Sequence, residues 1–212
     1  MIITKQKAID KILKDASPFR KIFVIGCGTC ATACQTGGQE QVKAVSAALS
    51  DRLAGSTVVE ACCDVRVAKR DLSKHKIELE GADAVLALSC GAGAQALGET
   101  TGKPVIAGLD TLFVGKIERI GRYYERCSAC ADCIISETGG ICPVVRCAKG
   151  LLNGPCGGQV KGKCEASGYT RDCAWVLAYN SLKAQGRVEQ FKKYRAPRDR
   201  SPKSQPQEIE AR

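Results

Sequence analysis

Fourteen cysteines against a single histidine constrain this 212-residue chain more than any other feature. Cysteine at this density means either a disulfide framework or thiolate-bound metal, and the two belong to opposite redox compartments. Disulfide scaffolds are short, below about 80 residues, because they stand in for a core that a small chain cannot build. This chain is long enough for a core. Its N-terminal stretch, MIITKQKAIDKILKDASPF, reads as an amphipathic helix carrying lysines throughout, with neither the apolar segment nor the small-residue cleavage site of a secretory signal. No apolar run approaches the ~18 residues needed to span a bilayer. The expectation is a cytoplasmic protein whose reduced thiols bind metal. Only His75 supplies imidazole, and it sits in a polar helical stretch that reads as surface. The metal sites are therefore expected to be all-thiolate, which suits structural zinc or iron–sulfur clusters. The lone histidine argues against histidine-based acid–base chemistry and against a His-rich catalytic zinc. No residue is assigned a catalytic role.

The formal charge of +10 invites a nucleic-acid reading. Each site of four thiolates around a 2+ cluster or Zn²⁺ carries about −2, so three such sites bring the working charge to about +4. Aromatic residues make up 5% of the chain, too few for base-stacking platforms. Nucleic acid is not an expected partner.

The N-terminal half alternates strand-like and helix-like segments. Residues 21–25 (KIFVI) form an apolar run ending in Gly26-Cys27-Gly28. Residues 41–53 have helical spacing, with Val42, Val45, Leu49 and Leu53 on one stripe. Residues 56–61 make a second strand, ending at Cys62-Cys63, and 64–76 reads as a helix. Residues 82–88 make a third strand, ending at Ser89-Cys90-Gly91, and after a small-residue helix 103–107 makes a fourth. Continuous apolar strands separated by helices predict a parallel sheet covered on both faces, flavodoxin- or Rossmann-like. Three successive strands run into cysteine at their C-terminal ends, the edge where such sheets bind ligands. Cys27, Cys30, Cys34, Cys63 and Cys90 are thus expected to converge in one crevice around a cofactor. The spacing leaves open Cys62 against Cys63 and Cys30 against Cys34. The bland alternative is that Cys62 and Cys90 merely pack the core. The segment Gly26-Cys-Gly-Thr-Cys-Ala fits a dinucleotide fingerprint poorly.

From Tyr123 the composition changes: eight cysteines follow with few apolar residues between them. Cys127-x-x-Cys130-x-x-Cys133 and Cys142-Pro143 resemble the cluster-binding run of bacterial ferredoxins, with a longer gap before the fourth cysteine. The simplest partition places Cys127, Cys130, Cys133 and Cys142 on one site. Cys147, Cys156, Cys164 and Cys173 then hold a second, as iron–sulfur or structural zinc. A lobe this poor in apolar residues draws much of its folding free energy from metal. Residues 172–185 read as a final helix docking Trp175, Val176, Tyr179 and Leu182, with Gly186 at its end. The predicted domains are an α/β domain over 1–120, a cysteine-rich metal-binding domain over 121–186, and a polar tail over 187–212, disordered or bound to a partner.

Gly139-Gly-Ile-Cys-Pro, then Cys147-Ala-Lys-Gly and Asn153-Gly-Pro-Cys-Gly-Gly, resemble the cysteine-rich C-terminal domain associated with methylenetetrahydrofolate reductases. With the α/β half in front, residues 1–195 resemble the small iron–sulfur subunit of the two-subunit reductases of acetogenic anaerobes. The resemblance implies one to three [4Fe–4S] clusters, zinc in one cysteine-rich site as the other option, and a partner subunit that binds flavin and performs the chemistry. It also leaves room for further electron-transfer subunits. The implied role is an electron relay to or from that flavin. The alternative is a zinc-stapled structural partner that carries no electrons.

Overall fold

The chain opens on a strand where the lysine-bearing N-terminus suggests a helix. β1 (Ile2–Gln6) pairs antiparallel with a distant segment, Ile2 opposite Val114 and Gln6 opposite Leu109. Ile2, Ile3 and Thr4 are β-branched and suit a pleated surface better than a helix, and Ile3 and Thr4 are buried. The helix starts only at α1 (Ile9–Asp15), which buries Ile12.

The computed structural model describes residues 1–201 and 206–210. The chain divides into two compact units, Met1–Tyr124 and Glu125–Arg212.

In the first unit the expected parallel sheet is present. Its elements follow in order as β2 (Ile22–Cys27), α2 (Cys30–Ala33), α3 (Gln39–Leu49), β3 (Leu53–Val59), α4 (Val65–Leu72), α5 (Lys76–Glu80), β4 (Ala84–Leu88), α6 (Gly91–Thr101) and β5 (Val105–Ala107). The strand order is β3-β2-β4-β5, all parallel. Every residue of β2 and β4 is buried, as central strands of a sheet covered on both faces must be. α3 lays Val42, Val45 and Leu49 on the sheet. The single helix expected over 64–76 is broken: a 3₁₀ turn, Ser73–His75, separates α4 from α5. Ser73 Oγ donates to the Arg70 carbonyl at 2.7 Å, the local side-chain bond that competes with helix continuation. His75 is half-buried, 5.8 Å from the Phe23 ring.

The sequence pattern did not disclose a second sheet. β6 (Leu109–Arg119) follows β5 almost at once, turns at Gly121, and returns as β7 (Arg122–Cys127). With β1 it forms a three-stranded sheet in the order β1-β6-β7.

The second unit has little regular structure. α7 (Pro143–Arg146) and α8 (Ala174–Ala184) are its helices among the described residues, apart from short 3₁₀ turns. Pro143 occupies the first turn of α7, where a missing N–H costs nothing. The core is small: Cys173, Trp175 and Ala178, with Ile141, Cys147, Leu151, Cys164, Val176 and Phe191 packed around them. Tyr179, expected to dock, is 40% exposed but meets the Phe191 ring edge-on at 5.4 Å. Part of the segment read as a polar tail, residues 187–201, carries ordered contacts: a 3₁₀ turn (Val188–Lys192) and a buried Arg195. Residues 202–205 and 211–212 of that segment lie outside the described residues. Among the described residues no helix is long and apolar enough to cross a membrane.

Candidate metal centres

The first cysteine group is positioned by the parallel sheet. β2 lies between β3 and β4, and β3 and β4 are reached from it in opposite directions, so the switch point falls between β2 and β4. In register, Cys27 stands opposite Val59 and Gly26 opposite Leu88. Cys62, Cys63 and Cys90 follow within a few residues on the same edge. Close backbone approach keeps this edge tight. A Cβ on Gly37 would stand 2.0 Å from the Leu88 carbonyl oxygen, and one on Gly93 would stand 2.9 Å from Cys62 Cβ.

Cys27 and Cys62 form a hydrogen-bonded pair. Cys62 is fully buried, and its Sγ also lies 3.3 Å from the Gly26 carbonyl. The Cys62 thiol, first, and then Thr29 Oγ1 at 3.3 Å hold the Cys27 thiol down at about 5, against the opposing effect of burial. The same bond, then burial, pushes Cys62 upward. The shared bond thus favours the thiolate on Cys27 and the proton on Cys62. Cys63 is exposed and pushed up, first by partial desolvation and then by the charges of Cys90, Cys27 and Cys30.

Cys30 and Cys34 face β1. Cys30 Sγ accepts from the Ile2 N–H at 3.5 Å and Cys34 Sγ donates to the Ile2 carbonyl at 3.7 Å. The structure therefore brings Cys27, Cys62, Cys63 and Cys90 to one edge, puts Cys30 within electrostatic reach, and turns Cys34 toward the other sheet. Sequence spacing did not single out Cys62 over Cys63. Its signal is the apolar neighbourhood in which β3 ends, which places the first thiol of the pair inside.

In the second unit β7 ends at Cys127 and opens the Cys-x-x-Cys-x-x-Cys loop. Ala129 and Ala131 adopt φ of 50° and 60°, left-handed conformations that cost on the order of 1 kcal/mol each for a residue with a Cβ. Such strain is retained where a loop must aim backbone N–H groups inward, and the Ala129 N–H donates to Cys127 Sγ at 3.3 Å. A cavity of about 450 Å³ opens beside the loop, lined by Cys130, Asp132, Val144, Arg198 and Arg200 among others. Cys130 is held below the usual thiol range, first by its backbone hydrogen bond at Asp132 and then by the Arg198 guanidinium. Cys133 is exposed and Cys142 half-buried.

A tight knuckle positions two of the last four cysteines, Cys164 and Cys173. Lys163 bridges both Val160 and Asp172. The Cys164 N–H donates to the Arg171 carbonyl at 2.9 Å and the Cys173 N–H to the Gly162 carbonyl at 2.8 Å. Cys147, Cys164 and Cys173 share the Trp175 core, and Cys156 Sγ lies 3.9 Å from Glu165, itself paired with Lys149. Cys90, Cys142, Cys164 and Cys173 all stand at N-caps of helical segments, and none makes a side-chain cap hydrogen bond.

Two sequence motifs acquire structural roles. Gly139, at φ 61°, brings its carbonyl to Ser181 Oγ at 2.6 Å on α8, and a Cβ there would press on Ser181 and Leu182. Asn153 grips the backbone of Arg195 from both sides: its Oδ1 accepts from the Arg195 N–H at 2.7 Å and its Nδ2 donates to the Arg195 carbonyl at 2.8 Å. The Arg195 side chain pairs with Glu137 at 2.9 Å and lies over the Trp175 ring at 5.8 Å.

As described, no group of three or more His, Cys, Asp or Glu side chains among the described residues is arranged to hold a metal ion. The donor chemistry nevertheless suits one kind of group. Both units supply soft sulfur without imidazole, next to backbone N–H donors, which is the environment of thiolate-bound iron or zinc. No curated protein and no solved structure matches the chain. Residues 106–201 match a protein family described as Methylene-tetrahydrofolate reductase C terminal. The stretch that holds the Cys-x-x-Cys-x-x-Cys loop, the Asn153 grip and the Trp175 core is therefore similar to the C-terminal domain described for methylene-tetrahydrofolate reductases.

Proposed function

We propose that this chain is an iron–sulfur electron-transfer subunit of a methylenetetrahydrofolate reductase complex, passing electrons to or from a flavin on a separate catalytic subunit. The observation that carries the reading is the cysteine-lined C-terminal edge of the parallel sheet, in a chain that also carries a family domain with a strained Cys-x-x-Cys-x-x-Cys loop.

In this reading Cys27, Cys30, Cys63 and Cys90 supply ligands at the sheet edge, while Cys34 faces β1 and Cys62 stays the thiol hydrogen-bonded to Cys27. Cys127, Cys130, Cys133 and Cys142 supply those at the loop. Bound [4Fe–4S] clusters would contribute one-electron transfer at low potential. The protein's own part is to hold thiolates without competing acid–base groups. It keeps Cys27 ionised through the Cys62 thiol, and it places Cys90 at the start of α6, whose N-terminal dipole favours negative charge. The all-thiolate supply and the lack of an assigned catalytic residue leave the folate chemistry to the partner.

The test is anaerobic purification with iron, sulfide and zinc counted per chain, followed by EPR after dithionite. A cluster signal with at least four irons supports the reading, and a colourless zinc protein without iron overturns it. A second reading applies to Cys147, Cys156, Cys164 and Cys173. Their knuckle and shared Trp175 core suit a closed structural zinc site, so one zinc beside the iron is compatible with electron transfer through the other sites.

A further inference from the structure

Arg198 enters the neighbourhood of the Cys-x-x-Cys-x-x-Cys loop from the far end of the chain. Its side chain is 10% exposed. Nη1 donates to Cys130 Sγ at 3.0 Å, Nη2 donates to the Asp132 carbonyl, and Nε stands 3.3 Å from Asp132 Oδ2. Arg198 also forms part of the cavity wall beside the loop. Its placement is set three residues earlier, where Arg195 is fixed by Asn153, Glu137 and the Trp175 ring. A guanidinium is a rigid, permanently charged fork. Burying it against a sulfur costs desolvation that a lone carboxylate partner at this spacing repays only in part.

We infer that residues 193–198 are a clasp that delivers Arg198 as a positioning residue to the Cys130 sulfur, where it raises the reduction potential of a cluster bound at the 127–142 site. The inference rests on the cluster reading proposed above and adds to it which residue sets the potential. Reduction adds one negative charge to a thiolate-bound cluster. A cation and an N–H···S bond at a ligand sulfur stabilise the reduced state more than the oxidised one. The arm thus makes the loop site easier to reduce, in a way that the ferredoxin-like spacing alone does not specify.

The experiment is a potentiometric EPR titration of the full-length, anaerobically prepared chain and three variants, with iron counted for each. Arg198→Gln is expected to favour the oxidised form of the loop cluster about tenfold, a fall of about 59 mV for a one-electron couple. Arg198→Lys keeps the charge but loses the fork and is expected to fall part of the way. Lys192→Gln removes a cation from the same arm, at an exposed position paired with Glu189, and is expected to leave the potential unchanged. If wild type and Arg198→Gln carry equal iron and titrate together, the clasp inference is overturned and the cluster reading stands. Equal shifts in Arg198→Gln and Lys192→Gln overturn it too, since general charge would then suffice. If the wild-type chain holds no iron, both readings fall.

Discussion

Asn153→Ala is the sharpest perturbation of the second unit. The side chain makes two hydrogen bonds to the Arg195 backbone, at 2.7 and 2.8 Å, and Arg195 is 9% exposed. Alanine leaves that N–H and carbonyl unpaired in a largely dry setting. At about 1 kcal/mol net per neutral hydrogen bond, the closed arm loses about 2 kcal/mol, roughly a 25-fold rise in its open population. Trypsin reads this population directly, because cleavage after Arg195 requires a side chain that is 8% exposed to leave its seat beside Glu137 and Trp175. With opening fast relative to cleavage, the rate of that cut, followed by mass spectrometry, is expected to rise roughly 25-fold. Cleavage after an already exposed site such as Lys161 should keep its rate. An unchanged rate at Arg195 would show that Asn153 does not hold the arm, and would refute the structural role given to the Asn-Gly-Pro-Cys-Gly-Gly motif.

Three other expectations follow from the same structure. Gly37→Ala drives a Cβ to 2.0 Å from the Leu88 carbonyl oxygen; overpacking of about 3 kcal/mol should lower the melting temperature by roughly 5–10 °C, and a calorimetric trace matching wild type would refute the tight edge. Trp175→Ala empties the centre of the small core at a cost of about 3–5 kcal/mol, visible as an earlier denaturant transition by circular dichroism; an unmoved midpoint would mean that the core contributes little. In the metal-free chain, thiolate absorbance from Cys27 should be present at neutral pH and be lost as the pH falls through about 5, its folded value lying below the ordinary thiol. Cys27→Ser removes that component, and Cys62→Ala, which deletes the donating thiol, moves its loss to higher pH; a Cys62→Ala curve superimposing on wild type would contradict the pair.

Much of the first unit was legible because its signal is local. Apolar runs of β2 and β4 and the Val42, Val45, Leu49 stripe of α3 are periodicities that a short window displays. β1 reads as helix in sequence because its partner, Val114, is remote in the chain and the lysines around it imitate a helical face. The β6–β7 hairpin was missed for a similar reason: most of its residues are exposed or half-exposed, so no apolar alternation announces it. The arm was illegible in a different way. Arg195 pairs with Glu137 and Arg198 with Asp132 across long separations, and hydrophobic patterning is blind to ion pairs. At the candidate sites, spacing named the cysteines but not their directions. That Cys34 turns to β1 while Cys62 turns to Cys27 depends on which sheet lies on each side of α2, a tertiary fact.

The cysteines at helix starts have a further consequence. Cys90, Cys142, Cys164 and Cys173 take positions where serine, threonine, aspartate or asparagine would normally supply an oxygen to the first free N–H groups. The chain forgoes that oxygen four times. At α6 Thr111 Oγ1 takes the Gly91 N–H at 2.8 Å instead, and α7 opens on Pro143, which has no N–H. The segments after Cys164 and Cys173 are therefore the ones that begin under-capped and prone to fraying. The amides of their first turns are consequently a built-in gauge. Their hydrogen-exchange protection registers, helix by helix, whether the neighbouring sulfur is held in place, independently of any colour or paramagnetic signal.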